Sequence, residues 1–227
     1  MLRKLLSKIP FRIKWLYKSP YDPWDKFALQ QQFVNFNIKP GEKVLDVGSG
    51  GYPFPLATHL ADLYETETSH RMEGLVQDSR PFTKCDIQEL PFADKEFDFV
   101  YCSHLLEHVD DPAKVCKELM RVGKRGYIET PTKTSDIMFN FLYLENHHKW
   151  HVEMLTNTLI FLPWRPEERK STGTKYFKQQ YFSRWDNPFQ KLVIEHNHLF
   201  NNMFLWKDRF NYSVFDLDGK IVATNVQ

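Results

Sequence analysis

The sequence predicts an α/β fold with a mostly parallel sheet, on the strength of three observations. Short apolar segments of strand length alternate along the chain with segments of helical pattern. The segment Phe97–Cys102 contains a near-continuous apolar run, as expected of a strand that is covered on both faces. A glycine-rich turn, residues 48–51, directly follows the first predicted strand. This alternation is typical of parallel sheets whose connections are helices.

Five strands and two helices account for the predicted elements up to residue 132. The first helix covers Asp25–Asn37 and stops before the Pro40-Gly41 turn. The second helix begins at Pro112 behind the capping residue Asp111 and ends at Gly123. The predicted strands are Lys43–Val47, His59–Tyr64, a short strand within Phe82–Leu90 that closes on Asp86-Ile87, Phe97–Cys102 and Gly126–Pro131.

The pattern divides the chain into three parts within one domain. Residues 1–24 are a basic extension, residues 25–132 form the alternating core, and residues 133–227 are expected to supply a lid or hairpin and the C-terminal strands that complete the sheet. The hairpin is predicted at Thr156-Asn157, and the final strands at Leu192–Glu195 and Asn211–Phe215.

Composition limits the class of protein and of partner. The chain has 227 residues, 42% of them hydrophobic, which is enough for a substantial core, and its net charge of +1 does not favour nucleic acid as a partner. Three cysteines without metal-like spacing suit free thiols in a cytoplasmic protein. The sequence has no run of 18 apolar residues, so it predicts no membrane span.

The first 20 residues contain six basic side chains and no acidic one, interleaved with apolar residues. One interpretation is weak contact with an anionic membrane surface or an acidic substrate. The other, which we prefer, is an extension that packs its apolar side on the domain.

Two aspartates at strand ends indicate a ligand site. Asp46 lies in an otherwise apolar strand, where an acid is costly unless it meets a polar partner. Asp62 ends the second strand, the position at which an acid binds ribose hydroxyls in dinucleotide-type folds. Gly50 and Asp62 are 62 − 50 = 12 positions apart, whereas the usual gap is about 20. The connecting helix must therefore be shortened, and Glu65 and Glu67 are alternatives to Asp62.

Four ordered segments within residues 40–132 resemble the class I S-adenosylmethionine-dependent methyltransferases. They are Val44-Leu45-Asp46-Val47-Gly48-Ser49-Gly50, Asp86-Ile87 with Leu90-Pro91-Phe92, Phe97-Asp98-Phe99-Val100, and Leu106-Glu107-His108-Val109. The resemblance implies a Rossmann-like, doubly wound and mostly parallel sheet of seven strands with helices on both faces. It also implies S-adenosyl-L-methionine as the cofactor, bound at the carboxyl ends of the strands.

The resemblance assigns cofactor contacts residue by residue. The methionine part would lie against Asp46 and the turn Gly48, Ser49 and Gly50. Asp62 would bind the ribose, and Asp86 with Ile87 would bracket the adenine. Ser103 and His104 would lie beside the methionine and sulfonium end. Pro53 and Pro55 depart from the family, because a helix normally begins there.

Histidines are the candidates for acid–base chemistry, since the imidazole pKa suits proton transfer at neutral pH. His104 follows the fourth strand, whereas His147 and His151 follow the fifth strand and are candidates for a base facing the substrate. Adjacent histidines on a strand point to opposite faces, so we expect at most two of His147, His148 and His151 to converge, and we predict no metal site there. We expect His108 to pack or cap.

The sequence therefore predicts an S-adenosylmethionine-dependent methyltransferase that modifies an oxygen or nitrogen of a small molecule or of a glycan or lipid precursor, as a monomer or homodimer. Two alternatives stay open. One is a non-catalytic binding or scaffold protein with the same fold, and the other is an enzyme of that fold that binds a different nucleoside ligand.

Overall fold

A computed structural model of the chain describes residues 23–64, 74–139, 141, 147–170, 176–181, 183 and 187–227. The predicted basic extension lies outside these residues except for residues 23 and 24, and so do Glu65 and Glu67.

Ten strands and seven helices are present in the described residues. The strands are β1 (Val44–Val47), β2 (His59–Asp62), β3 (Phe82–Lys84), β4 (Phe99–Ser103), β5 (Arg125–Pro131), β6 (Trp150–Leu155), β7 (Thr158–Pro163), β8 (Asn201–Lys207), β9 (Asn211–Phe215) and β10 (Ile221–Thr224). The helices are α1 (Pro23–Phe33), α2 (Pro112–Val122), α3 (Lys133–Met138), α4 (Pro166–Lys170), α5 (Tyr176–Tyr181), α6 (Pro188–Glu195) and α7 (Asn197–Phe200).

The main sheet confirms the predicted α/β architecture. Its strand order is β3-β2-β1-β4-β5-β8, and every pairing is parallel except β5 with β8. Within the described residues this sheet has six strands, so the expected count of seven is wrong for this part of the chain. The difference arises because the C-terminal segment contributes only β8 to this sheet.

The remaining strands form a second sheet in the order β10-β9-β7-β6. The predicted hairpin is confirmed, because β6 and β7 pair antiparallel around Thr156, whose φ is 51°. Asn211–Phe215 is a strand as predicted, but it belongs to this second sheet. The predicted strand Leu192–Glu195 is wrong, since these residues lie in α6, which the Asn187 side chain caps.

Both faces of the main sheet are covered by apolar side chains. On one face, Phe27 of α1 packs with Val44 and Tyr127. On the other face, Val115 and Leu119 of α2 share a core with residues of the second sheet. Helix α2 begins where the sequence predicts, because the carboxylate of Asp111 accepts a hydrogen bond from the Lys114 amide.

The short connection between β1 and β2 contains no helix. Phe54 takes over part of the packing there: its ring is only 2% exposed and stacks on Tyr101 at 4.1 Å between ring centroids. This aromatic insertion covers the face beside β1 with few residues, which explains how the chain passes from Gly50 to Asp62 in so short a stretch.

All three cysteines are free thiols, as predicted. No helix within the described ranges combines the length and the apolar character that a membrane crossing requires.

Candidate functional site

A cavity of about 500 Å³ opens along the carboxyl ends of the parallel strands. This is the edge at which open α/β sheets bind ligands, and the volume is within the usual range of ligand sites. Nearly all of the predicted site residues line it, namely Asp46, Gly48, Ser49, Gly50, Asp62, Asp86, Ile87, Ser103, His104 and His147. His151 does not.

The glycine turn brings bare backbone to the cavity wall. Gly48 and Gly50 have φ values of 72° and 53°, which side chains rarely adopt. The Gly48 amide donates a hydrogen bond to the Ala61 carbonyl at 2.8 Å, which ties the turn to β2. A Cβ atom on Gly48 would lie 2.7 Å from Cδ2 of Leu105, so any side chain there would press on the cavity wall.

Ser49 provides a test of whether a polar ligand fits this turn. The residue is 4% exposed and its Oγ has no hydrogen-bond partner within the part of the chain that the structure describes. A buried hydroxyl without a partner is unfavourable, and a polar ligand in the cavity would satisfy it.

Asp46 is buried at the base of the turn. Its Oδ2 accepts a hydrogen bond from the Phe54 amide at 2.7 Å. Burial disfavours the charged carboxylate and raises the pKa of Asp46 to about 7. A positively charged group of a ligand beside Asp46 would favour its ionised form.

Asp62 ends β2 inside the cavity despite the short connection. Its Oδ2 accepts from the Gly50 amide at 3.1 Å and its Oδ1 from the Tyr64 amide at 3.0 Å. The carboxylate is therefore fixed beside the glycine turn, in a position from which it can reach a ligand in the cavity.

Asp86 and Ile87 lie in the turn after β3 rather than within the strand, which ends at Lys84. Oδ1 of Asp86 accepts a hydrogen bond from the Gln88 amide at 2.8 Å. Ile87 is 7% exposed and packs into the main core. Together they give the cavity a polar and an apolar wall near Asp62.

The sequence analysis missed Glu129, which is the centre of a buried network behind the cavity residues Ser103 and His104. Its carboxylate accepts hydrogen bonds from Ser103 Oγ at 3.1 Å and Gln30 Nε2 at 2.9 Å, and from the Tyr127 hydroxyl. Lys26 Nζ donates to the same Ser103 Oγ at 2.9 Å. An acid in the apolar segment of β5 was the signal that could have revealed this residue.

His104 is an imidazolium between two carboxylates rather than a neutral base. Its Nε2 is 3.1 Å from Oε1 of Glu129 and its Nδ1 is 3.6 Å from Oε1 of Glu107. The carboxylates of Glu107 and Glu129 favour the protonated ring and raise the pKa of His104 to about 9. Burial opposes ionisation of Glu129, yet His104 and Lys26 lower the pKa of Glu129 to about 2.

His147 joins two other histidines at the cavity wall. One ring nitrogen each from His108, His147 and His148 lies within 4.8 Å of the others. The expectation that adjacent histidines diverge is wrong here, because His147 and His148 precede β6 rather than lie in it, and their rings stack at 4.7 Å. His108 replaces His151 as the third member, and both His108 and His147 line the cavity.

His151 is placed away from this site, and its predicted role as a base in the cavity is not supported. It lies in β6, is 7% exposed and packs against Trp164 with ring centroids 4.7 Å apart. Burial, followed by the nearby charge of Lys133, lowers the pKa of His151 to about 4. The alternation of side chains along β6 and the packing of the second sheet decide this orientation.

Comparison with known proteins shows which family part of this chain is similar to. Residues 45–128 match the profile of a family described as a methyltransferase domain. Cycloartenol-C-24-methyltransferase 1 of Oryza sativa subsp. japonica is 36% identical over 107 residues, which are 41% of this chain and 30% of that protein. Demethylmenaquinone methyltransferase of Renibacterium salmoninarum is 38% identical over 92 residues, 38% of this chain and 39% of that protein.

A ubiquinone biosynthesis O-methyltransferase of Hahella chejuensis is 39% identical over 124 residues, which are 49% of this chain and 52% of that protein. The chain thus spans about half or less of the length of these relatives. The similarity is confined to part of each protein.

Proposed function

Since residues 45–128 belong to the class I S-adenosylmethionine-dependent methyltransferases, we propose that this chain transfers the methyl group of S-adenosylmethionine to an oxygen or nitrogen of a small molecule. The observation that carries the proposal is the cavity at the carboxyl ends of β1 to β4, where the glycine turn, Asp62 and Asp86 come together.

The residues of the cavity fit the cofactor. Its ammonium and carboxylate groups would be held by Asp46 and by the turn that contains the orphaned Ser49 hydroxyl. Asp62 would bind the ribose hydroxyls, and Asp86 with Ile87 would hold the adenine. When bound, the cofactor supplies a methyl group that its positive sulfur has already activated.

The chain's own contribution is then mainly to bring the acceptor atom into line with that methyl group, since positioning accounts for much of the acceleration of such displacements. His104 is a cation at neutral pH, so we assign it the stabilisation of negative charge on the acceptor. His108 and His147 are left as the cavity imidazoles that can receive the acceptor's proton.

The acceptor class we propose is a small molecule such as a lipid precursor or a glycan. The named relatives support the lipid precursor, because their names refer to a sterol and to two quinone pathways. A cavity that is lined by Leu105 and Val109 as well as by charged groups suits an acceptor with one apolar part.

Calorimetric titration of S-adenosylmethionine and of its demethylated product tests the proposal. We expect both to bind the wild-type chain, and Asp62→Ala to bind about 10- to 100-fold more weakly, as for the loss of a charged hydrogen bond of about 1.5–3 kcal/mol. Asp218→Ala, an equal change at an exposed acid in the β9–β10 turn, is the control and should bind like the wild type.

Absence of binding to the wild type would overturn the proposal. If the wild-type chain binds the cofactor, the next measurement is transfer of a labelled methyl group to a demethylated quinol. Cofactor binding without transfer to any acceptor of the quinol, sterol and glycan classes would favour the scaffold alternative.

A further inference from the structure

Three histidines, two of them on the cavity wall, converge from separate segments of the chain. His108 lies after β4, whereas His147 and His148 lie 39 and 40 positions later in the chain, just before β6. The centroid of the His108 ring is 4.8 Å from that of His147 and 4.7 Å from that of His148. Three rings from two segments thus converge on one point.

The distances between the ring nitrogens suit a metal ion after a small movement of the three side chains toward one another. Zinc binds imidazole nitrogen at about 2.0–2.1 Å, which places two ligand nitrogens roughly 3.3 Å apart. The ligand atoms of the cluster lie within 4.8 Å of one another. The farthest pair would therefore close by at most about 1.5 Å, which rotation of the imidazole side chains can supply.

Two of the rings are already oriented in the way that metal-binding histidines are. Nδ1 of His148 is 2.7 Å from Oδ1 of Asp136, a residue with no exposed side-chain surface. Nδ1 of His108 donates to the backbone carbonyl of His147 at 2.5 Å. Hydrogen bonds to Nδ1 fix the ring and make Nε2 the coordinating nitrogen, and a carboxylate partner strengthens it as a ligand.

A buried carboxyl group lies beside the cluster. Glu107 is 1% exposed, and neither of its carboxylate oxygens has a hydrogen-bond partner among the described residues. Its Oε1 is 3.7 Å from Nε2 of His108. A cation held by the three rings would lie beside Glu107 and beside the Asp136 carboxylate that contacts His148.

We propose that His108, His147 and His148 bind a divalent metal ion of the zinc type at the wall of the cavity. Three protein ligands leave the fourth position open, as in catalytic zinc sites. Because His108 and His147 line the cavity, that position faces it. In a part of the inference that rests on the proposed function, an acceptor hydroxyl would bind there. The metal would lower the pKa of this hydroxyl so that it releases its proton to solvent, and no imidazole base would then be needed.

The test uses the untagged full-length chain, freed of metal with a chelator and titrated with Co²⁺ or Zn²⁺. We expect one equivalent of Co²⁺ to give the visible absorption of a four-coordinate site, and calorimetry to give one equivalent of tightly bound Zn²⁺. His147→Ala should weaken binding by about 100-fold or more, and Asp136→Asn by about 10-fold. His108→Ala provides a second ligand deletion from the other segment.

His196→Ala removes an exposed histidine outside the cluster and should bind like the wild type. A wild-type chain that binds no equivalent of either metal, or equal affinity in the wild type and in both ligand deletions, would overturn the metal site. Titration of S-adenosylmethionine into the metal-free wild-type chain separates the two proposals. Cofactor binding without metal uptake would overturn the metal site alone, whereas metal uptake without cofactor binding would overturn the proposed function alone.

Discussion

Nε2 of His104 lies 3.1 Å from Oε1 of Glu129, beside the point where Ser103 and Glu129 pair across β4 and β5. This contact connects the carboxyl ends of β4 and β5 and holds a positive charge where the acceptor is expected. It also decides the chemistry open to His104, because a protonated imidazole cannot accept a proton. The following expectations start from this contact and from its neighbours.

Replacing Glu129 by Gln should lower the pKa of His104 from about 9 by at least one unit. The substitution keeps the size of the side chain and removes the charge that favours the imidazolium. A proton NMR titration of the histidine rings measures the change. Glu89→Gln, at a carboxylate that is 88% exposed, is the control. Identical His104 titrations in Glu129→Gln and the wild type would contradict the assigned cause.

The pKa of Asp46 predicts a specific dependence of stability on pH. Between pH 3.8 and about pH 7 the folded chain keeps a proton on Asp46 that the unfolded chain has released. The free energy of unfolding should therefore fall as pH rises through this window, by up to about 1.4 kcal/mol per pH unit from this group. Asp46→Asn keeps an acceptor for the Phe54 amide and should lack this component.

Urea denaturation at a series of pH values measures the free energy of unfolding of the wild type and of Asp46→Asn, both without ligand. The difference between Asp46→Asn and the wild type should grow from pH 4 to pH 7 and stay constant above. Parallel curves over that range would show that Asp46 ionises normally in the folded chain.

Alanine at Gly48 should impair both stability and cofactor binding. A left-handed backbone costs an alanine roughly 1–2 kcal/mol, and the added Cβ would meet Leu105 as well. Gly41→Ala is a matched control, because its φ is 85° and nothing lies within 4 Å of the new atom. We expect calorimetry to show weaker S-adenosylmethionine binding only in Gly48→Ala. Equal cofactor affinity in the two variants would argue against contact between this turn and the ligand.

The sequence by itself determined the parallel core and most of the cavity. Asp46 was identified as an acid inside an apolar strand, and Asp62 and the glycine turn were identified because they lie at the ends of predicted strands. The carboxyl ends of parallel strands meet at one edge of a sheet. This inference needs only the direction and order of the strands. It therefore held for Asp62 even though its connection is short and Phe54 takes over packing in the absence of a connecting helix.

The tertiary structure alone decided which distant side chains meet. His108 joins His147 and His148 across 39 residues of chain, while His151 turns into the packing around Trp164. Glu129 contacts the cavity residue Ser103 because β5 pairs with β4 at that position. Local patterns fix the face of a strand, but the convergence of rings and charges depends on how separate segments pack, and that is a property of the whole fold.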